Sequence, residues 1–196
     1  MSEAPPIHPL FIALPTRDGS AQVLTVQTLL ALGAMVGHVP ILLVPEASNI
    51  PKSRNYIQEY FREQKKAGYW AWWVDSDILL TQNDLPHLQR MMAIAHETRK
   101  TVSAHYRRTD GAWQGMATRK RYGSTQVIRK PDVEFWESDG MTGFGCVYGK
   151  FDSRYTFHAD DIGEDVHYWL DHPGRTLIWY EGDGWNPIHR KDVKLG

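Results

Sequence analysis

Tyr69-Trp70-Ala71-Trp72-Trp73-Val74-Asp75-Ser76-Asp77 joins an unbroken apolar, aromatic run to two carboxylates spaced i, i+2. The run is too short for a helix and rich in strand-forming side chains, so it reads as a buried strand of an α/β sheet. Leaving carboxylates dry costs several kcal/mol, so a buried strand that ends in two of them needs water, partners or a cation there. Strand alternation sets residues i and i+2 on one side. At the carboxyl end of a parallel strand that side opens onto the crevice where α/β folds bind ligands. Two Asp residues there can hold a hard divalent cation, which in turn neutralises a diphosphate.

Upstream, Leu10-Phe11-Ile12-Ala13-Leu14 is a short apolar run closed by Pro15, the first strand. Residues 21–36 predict a helix with Val23, Val26, Leu29, Leu30 and Met35 on its apolar face, ended by Gly37. Pro40 to Pro45 brackets a second strand, and residues 50–55 read as a loop. A second helix follows over about residues 54–67, with Gly68 as its C-cap. Downstream, Asn83 or Asp84 can cap a third helix with the stripe Leu85, Leu88, Met92, Ala95, and Thr101 to Tyr106 reads as a fourth strand. This β-α-β-α-β-α-β order predicts a mostly parallel sheet with helices on both faces.

The regularity fails between about Arg107 and Asp139, a polar stretch that is basic around Arg119-Lys120-Arg121. An anionic acceptor or plain solvent would both suit that cluster. Short antiparallel strands are expected at 126–128 and 133–136, and a glycine-punctuated strand at 143–149. A short helix over 163–170, a last strand over 176–180 and a loop-like tail from Gly182 complete the chain.

At 196 residues the chain suits one domain with a single sizeable core. Its 42% hydrophobic and 23% charged composition is globular, and a net charge of -1 argues against a general nucleic-acid binder. Cys146 is the single cysteine, which excludes an internal disulfide and fits a reducing, cytoplasmic setting. No signal peptide or transmembrane span is expected. Eight Trp residues divide between core and ligand-lining roles.

Four groups of residues can carry chemistry. Asp75-Ser76-Asp77 is a metal-diphosphate candidate, against a structural turn. Glu164 and Asp165 follow Gly163 at a helix start, preceded by Asp160 and Asp161. Acids there can simply cap the helix, or one can serve as a general base towards an acceptor hydroxyl. His189, with His158 as rival, can complete a metal shell beside carboxylates. Lys52-Ser53-Arg54-Asn55 opens a helix and can face phosphates, or be a solvated turn. Arg17 and Asp18, after the first strand, stand where a base or ribose would be met.

Taken together these pieces resemble the GT-A class of glycosyltransferases, particularly compact family-2-like enzymes of bacteria and phages. The matching stretches are Leu14 to Gly19, Ile50 to Asn55, Trp73 to Ile78, Thr142 to Cys146, Gly163 to Val166 and the late His189. The resemblance implies a GT-A-like (Rossmann-like) α/β fold, mostly parallel, with a small antiparallel or irregular C-terminal portion. It implies one domain over 1–196, with a nucleotide-sugar-binding half (1–106) and an acceptor and catalytic half (107–196). The implied activity is transfer of a sugar from a UDP- or GDP-sugar, with Mn²⁺ or Mg²⁺, to a glycan or other hydroxyl acceptor; inversion and retention both stay open, and the family-2 resemblance leans towards inversion. Asp75, Asp77 and His189 would hold the metal. Thr16, Arg17, Asp18, Arg54, Asn55, Asp75 and Ser76 would meet the nucleotide. Asp165 would be the base with Glu164 in support, and Gly143 to Gly145 would line the acceptor side. Roughly residues 107–140 remain for acceptor recognition, which a partner or a homo-oligomer would complete.

Two other classes stand beside this one. A sugar-phosphate nucleotidyltransferase would use a similar sheet and metal, but wants a glycine-rich basic loop where Thr16-Arg17-Asp18-Gly19 has one glycine. A non-catalytic sugar- or nucleotide-binding module would account for the Trp residues.

Overall fold

The computed structural model describes residues 11–16, 19–37, 41–43, 50–63, 68–108, 113–114, 118–121, 124–127, 134–138, 142–158, 164–172, 177–182, 185 and 187–189. In chain order the elements begin with β1 (Phe11–Leu14), α1 (Val23–Met35), β2 (Ile41–Leu43), α2 (Ile50–Glu63) and β3 (Gly68–Val74). They continue with β4 (Ile78–Leu79), a 3-10 turn at Gln82–Asp84, α3 (Leu85–Thr98), β5 (Thr101–Ala104) and β6 (Tyr106–Arg108). Then come β7 (Trp113–Gln114), β8 (Thr118–Arg121), β9 (Ser124–Val127), β10 (Phe135–Ser138) and β11 (Cys146–Asp152). The chain ends with α4 (Glu164–Asp171), β12 (Leu177–Tyr180) and β13 (Ile188–His189).

The main sheet has seven strands in the order β10-β12-β5-β11-β3-β1-β2. β1, β2, β3, β5 and β12 run one way, and β10 and β11 run the other. The fold is α/β as expected, with a mixed sheet whose two reversed strands come from the later part of the chain. The fourth expected strand does not pair with the Trp-rich one. Reversed β11 lies between them, pairing Cys146 with Val74 at one end and Asp152 with Gly68 at the other. Strands from both halves of the chain therefore share one sheet.

Alternation along the central strands builds two cores. Ile12, Leu14, Trp72 and Val74 pack with Leu29 and Leu32 of α1 and with Leu88, Met91 and Ala95 of α3. Phe11, Ala13, Ala71 and Trp73 pack on the opposite face with Ile57 and Phe61 of α2 and with Tyr168 and Trp169 of α4. Helices thus cover both faces, and Trp72, Trp73 and Trp179 are fully buried. Among the described residues no helix is long and apolar enough to cross a membrane.

Several boundaries differ from expectation. α2 starts at Ile50, so the stretch expected as a loop is its first turn and a half. Pro51 is no obstacle in a first turn, where its missing N–H has no helical partner to lose. Gly68 opens β3 rather than capping α2. Gly37, at φ +109°, does end α1. The tail is not all loop, because β13 pairs with both β4 and β6.

Candidate functional site

Four chain segments leave the main sheet at one edge. Thr16 follows β1, Asp75 follows β3, His105 follows β5 and Glu181 follows β12, all at carboxyl ends. Gly145, at the amino end of reversed β11, completes the edge. This is where α/β sheets hold ligands.

β3 stops at Val74, and Asp75-Ser76-Asp77 form a turn rather than continuing the strand. The Ile78 amide donates to the Asp75 carbonyl at 3.0 Å, closing the turn. The strand alternation expected to run through Asp77 therefore stops at this turn. The turn is pinned from three sides. The Asp75 amide donates to the Gly145 carbonyl (3.0 Å) and the Gln22 amide to the Ser76 carbonyl (3.1 Å). The Thr25 hydroxyl of α1 donates to the Ile78 carbonyl (2.5 Å) and accepts from the Leu80 amide (2.9 Å).

Asp75 still follows the alternation of β3 onto the α2 face, where Arg54 meets it. Arg54 Nη2 lies 2.9 Å from Asp75 Oδ1, with the Arg54 side chain 1% exposed and that of Asp75 21%. The guanidinium is boxed by the rings of Trp73, Phe144 and Phe157 at 5.6, 4.9 and 5.8 Å. Such a charge is tolerated because the carboxylate and the ring faces both stabilise it. Arg54 thus meets Asp75 from within the core, beneath the site rather than at an open mouth.

The neighbouring residues of α2 are anchors too. Ser53 Oγ donates to the Thr16 carbonyl (2.5 Å), and Thr16 Oγ1 accepts from the Gly19 amide (2.9 Å). Asn55 donates to the Phe157 carbonyl (2.8 Å) and accepts from the Phe157 amide (2.6 Å). Thr16, Arg54 and Asn55 therefore hold together the ends of β1 and β3 and the segment after β11. Ser76 and Asp77 are half-buried. Arg17, Asp18, Asp160, Asp161 and Gly163 lie outside the described residues.

Asp165 is half-buried in the first turn of α4, and Glu164 is the helix's first residue. One turn on, Trp169 Nε1 donates to the Thr142 carbonyl at 2.6 Å. That bond ties α4 to the Thr142-Gly143-Phe144-Gly145 segment, whose last carbonyl holds Asp75. Residues i and i+4 share a helix face, so Asp165 lies on the face of α4 that meets the site-edge segment. His158 is exposed, its ring 5.9 Å from that of His167.

A second, four-stranded sheet, β4-β13-β6-β7, grows from the same edge. β4 follows the Asp75–Asp77 turn and β6 follows His105. Its register sets Ile78 opposite His189, and His189 beside Arg108. The backbone of His189 therefore runs alongside the residue next to Asp77. Among the described residues no three His, Cys, Asp or Glu side chains are grouped closely enough to hold a metal.

Sequence reasoning misses a second buried pair on this edge. His105 Nδ1 is 2.9 Å from Glu181 Oε2, with side chains 9% and 5% exposed. The His105 amide also donates to the Tyr180 carbonyl (3.0 Å). A signal is present: Tyr180-Glu181 ends an apolar strand in a carboxylate, as Val74-Asp75 does.

No protein-family model and no curated protein matches this chain. Among solved structures, the crystal structure of A197 from STIV is similar, with a TM-score of 0.59 and 16% sequence identity. The match covers 93% of this chain and 94% of A197. At that identity the likeness is one of fold.

Proposed function

We propose that this edge is the active site of a metal-dependent glycosyltransferase of GT-A-like, Rossmann-like architecture. It would move a sugar from a UDP- or GDP-sugar to a hydroxyl of a glycan or other acceptor, with inversion. The observation that carries this reading is the pairing of β13 with β4, which draws His189 from the end of the chain to the Asp75–Asp77 turn. Asp75, Asp77 and His189 would supply two carboxylates and an imidazole, donor types that Mn²⁺ or Mg²⁺ accepts.

Asp77 and His189 would hold the ion, and Asp75, fixed by Arg54, would meet the ion or the donor ribose. A bound divalent ion supplies positive charge against the leaving diphosphate. Asp165 takes the proton of the acceptor hydroxyl while that oxygen bonds to the anomeric carbon and the bond from that carbon to the diphosphate oxygen breaks. Glu164 would support it, and Gly143 to Gly145 would line the acceptor side.

Calorimetric titration with UDP, GDP, CDP and dTDP, with and without Mn²⁺, tests the reading. One diphosphate should bind only with metal, and Asp77→Asn should weaken that binding at least tenfold. Asp165→Asn should keep the binding and lower transfer by about 10²–10⁴-fold, the usual contribution of a general base. No nucleotide binding by folded protein, or full transfer in both variants, overturns it. Pyrophosphate release from a nucleoside triphosphate would indicate nucleotidyl transfer instead.

A further inference from the structure

Helix α1 is apolar on both sides. No Asp, Glu, Lys or Arg occurs from Gly19 to Gly37. One side packs on the sheet through Leu29 and Leu32, with Thr25 and Thr28 buried beside them. The sequence expects Val23, Leu30 and Met35 on that side as well, yet the structure turns them outward. Val23, Leu24, Leu30 and Met35 are 69%, 50%, 58% and 56% exposed. Helical periodicity sets these four on one arc, with exposed Gln27 and Ala34 between them, so the outer face is continuous from end to end. The other large apolar side chains exposed among the described residues, Tyr56, Phe135 and Leu170, are scattered over α2, β10 and α4. Scattered exposure is ordinary, whereas a continuous patch marks an interaction site. The 3-10 turn beside α1 adds exposed, uncharged Gln82 and Asn83. Depletion of charge around an apolar centre is the anatomy of a protein interface.

We propose that the outer face of α1 is a dimer interface, packing against the same face of a second copy of this chain. The inference goes beyond glycosyl transfer and does not depend on it. A charge-free face meets its own copy across a two-fold axis without like-charge repulsion. Gln27 carries donors and an acceptor on one amide, so it can pair with its own copy. The size also fits. Large side chains that each expose on the order of 100 Å², along a helix about 20 Å long, offer with their rim roughly 500 Å² per copy. The pair would bury about 1,000 Å², the lower limit for a specific interface, so the dimer should be reversible. A bilayer surface is the poorer partner, because helices that lie on membranes carry Lys and Arg along their polar face.

The test is sedimentation velocity of the full chain over about 1–500 µM, a range that spans reversible association at this interface size. It compares the parent with Leu30→Glu, with Leu24→Lys, and with the control Tyr56→Glu, which places a charge at an exposed apolar residue of α2. Substitutions at exposed positions should fold normally, which thermal melts establish, and two α1 variants keep the test decisive if one does not. The expected result is a concentration-dependent monomer–dimer equilibrium. Leu30→Glu and Leu24→Lys should each weaken it at least about tenfold, and Tyr56→Glu should leave it within about twofold. A parent that stays monomeric at the highest concentration overturns the proposal. So does association that the α1 variants leave unchanged, or that Tyr56→Glu weakens equally. A monomeric parent that binds phosphatidylcholine vesicles, with the binding lost in Leu30→Glu, also overturns it and points to a membrane surface.

Discussion

Arg54 concentrates the chemistry of this protein at the scale of one residue. Its guanidinium satisfies the one carboxylate that a buried aromatic strand delivers to the sheet edge, and three rings close around it. Removing one partner of a buried ion pair typically costs about 3–5 kcal/mol, because the other charge is left uncompensated. Asp75 keeps some contact with water, which places Arg54→Met near the lower end, about 3 kcal/mol. Urea unfolding of that variant should show the loss as a lower midpoint at an unchanged slope. A Lys at the same position should rescue little, since a flexible ammonium does not reproduce a planar group held flat among rings. Asp75 and Asp77 are legible in the sequence, because carboxylates at the end of an apolar run announce themselves. The Arg54–Asp75 and His105–Glu181 pairs are not, because each joins strand or helix ends whose adjacency is set by sheet order alone.

Among the elements, β11 governs the sheet. It touches β3 along its whole length and β5 on its other side. The approach to β5 is close enough that a Cβ added at Gly149 would lie 2.5 Å from Thr101 Oγ1. Gly149→Ala therefore forces the two strands apart, and an overpacking cost of about 1–3 kcal/mol is expected. Differential scanning calorimetry should record a fall of about 2–4 °C in Tm for each kcal/mol lost. The helix α3 is readable from its apolar stripe, and β1 and β3 from their uninterrupted apolar runs. Helix α1 forms where expected and stops at Gly37, but its expected face is wrong: Val23, Leu30 and Met35 are exposed, and Thr25, Thr28, Leu29 and Leu32 are the residues it buries, because the Thr25 and Thr28 hydroxyls bond to backbone carbonyls and are accepted in the core. The place and direction of β11 are not readable, since hydrophobic pattern is the same for a strand run either way. The start of α2 escapes the sequence for a local reason: proline and polar residues look like a loop, yet a first helical turn accepts both.

For the whole molecule, residues 1–106 and 107–196 are not separable bodies. Residues 1–106 contain β3 and β5 but not the strand that lies between them. A fragment of those residues should give no cooperative urea transition by circular dichroism. A sharp transition would mean that β3 and β5 can close on each other directly. The four-stranded sheet joins distant parts of the chain as well, because β4 reaches β6 only through β13.

The reversed strand also sets a schedule. Chains are made from the amino terminus at a few residues per second, and domains generally fold as units once their parts are available. Here the central seam of the sheet stays open until Asp152 has left the ribosome, with aromatic strand β3 waiting for its neighbour. Its unpaired edge is, for those seconds, a template for wrong partners. The nascent protein should therefore be a client of chaperones that shield apolar strands, and slowing synthesis just before β11 should lower its soluble yield.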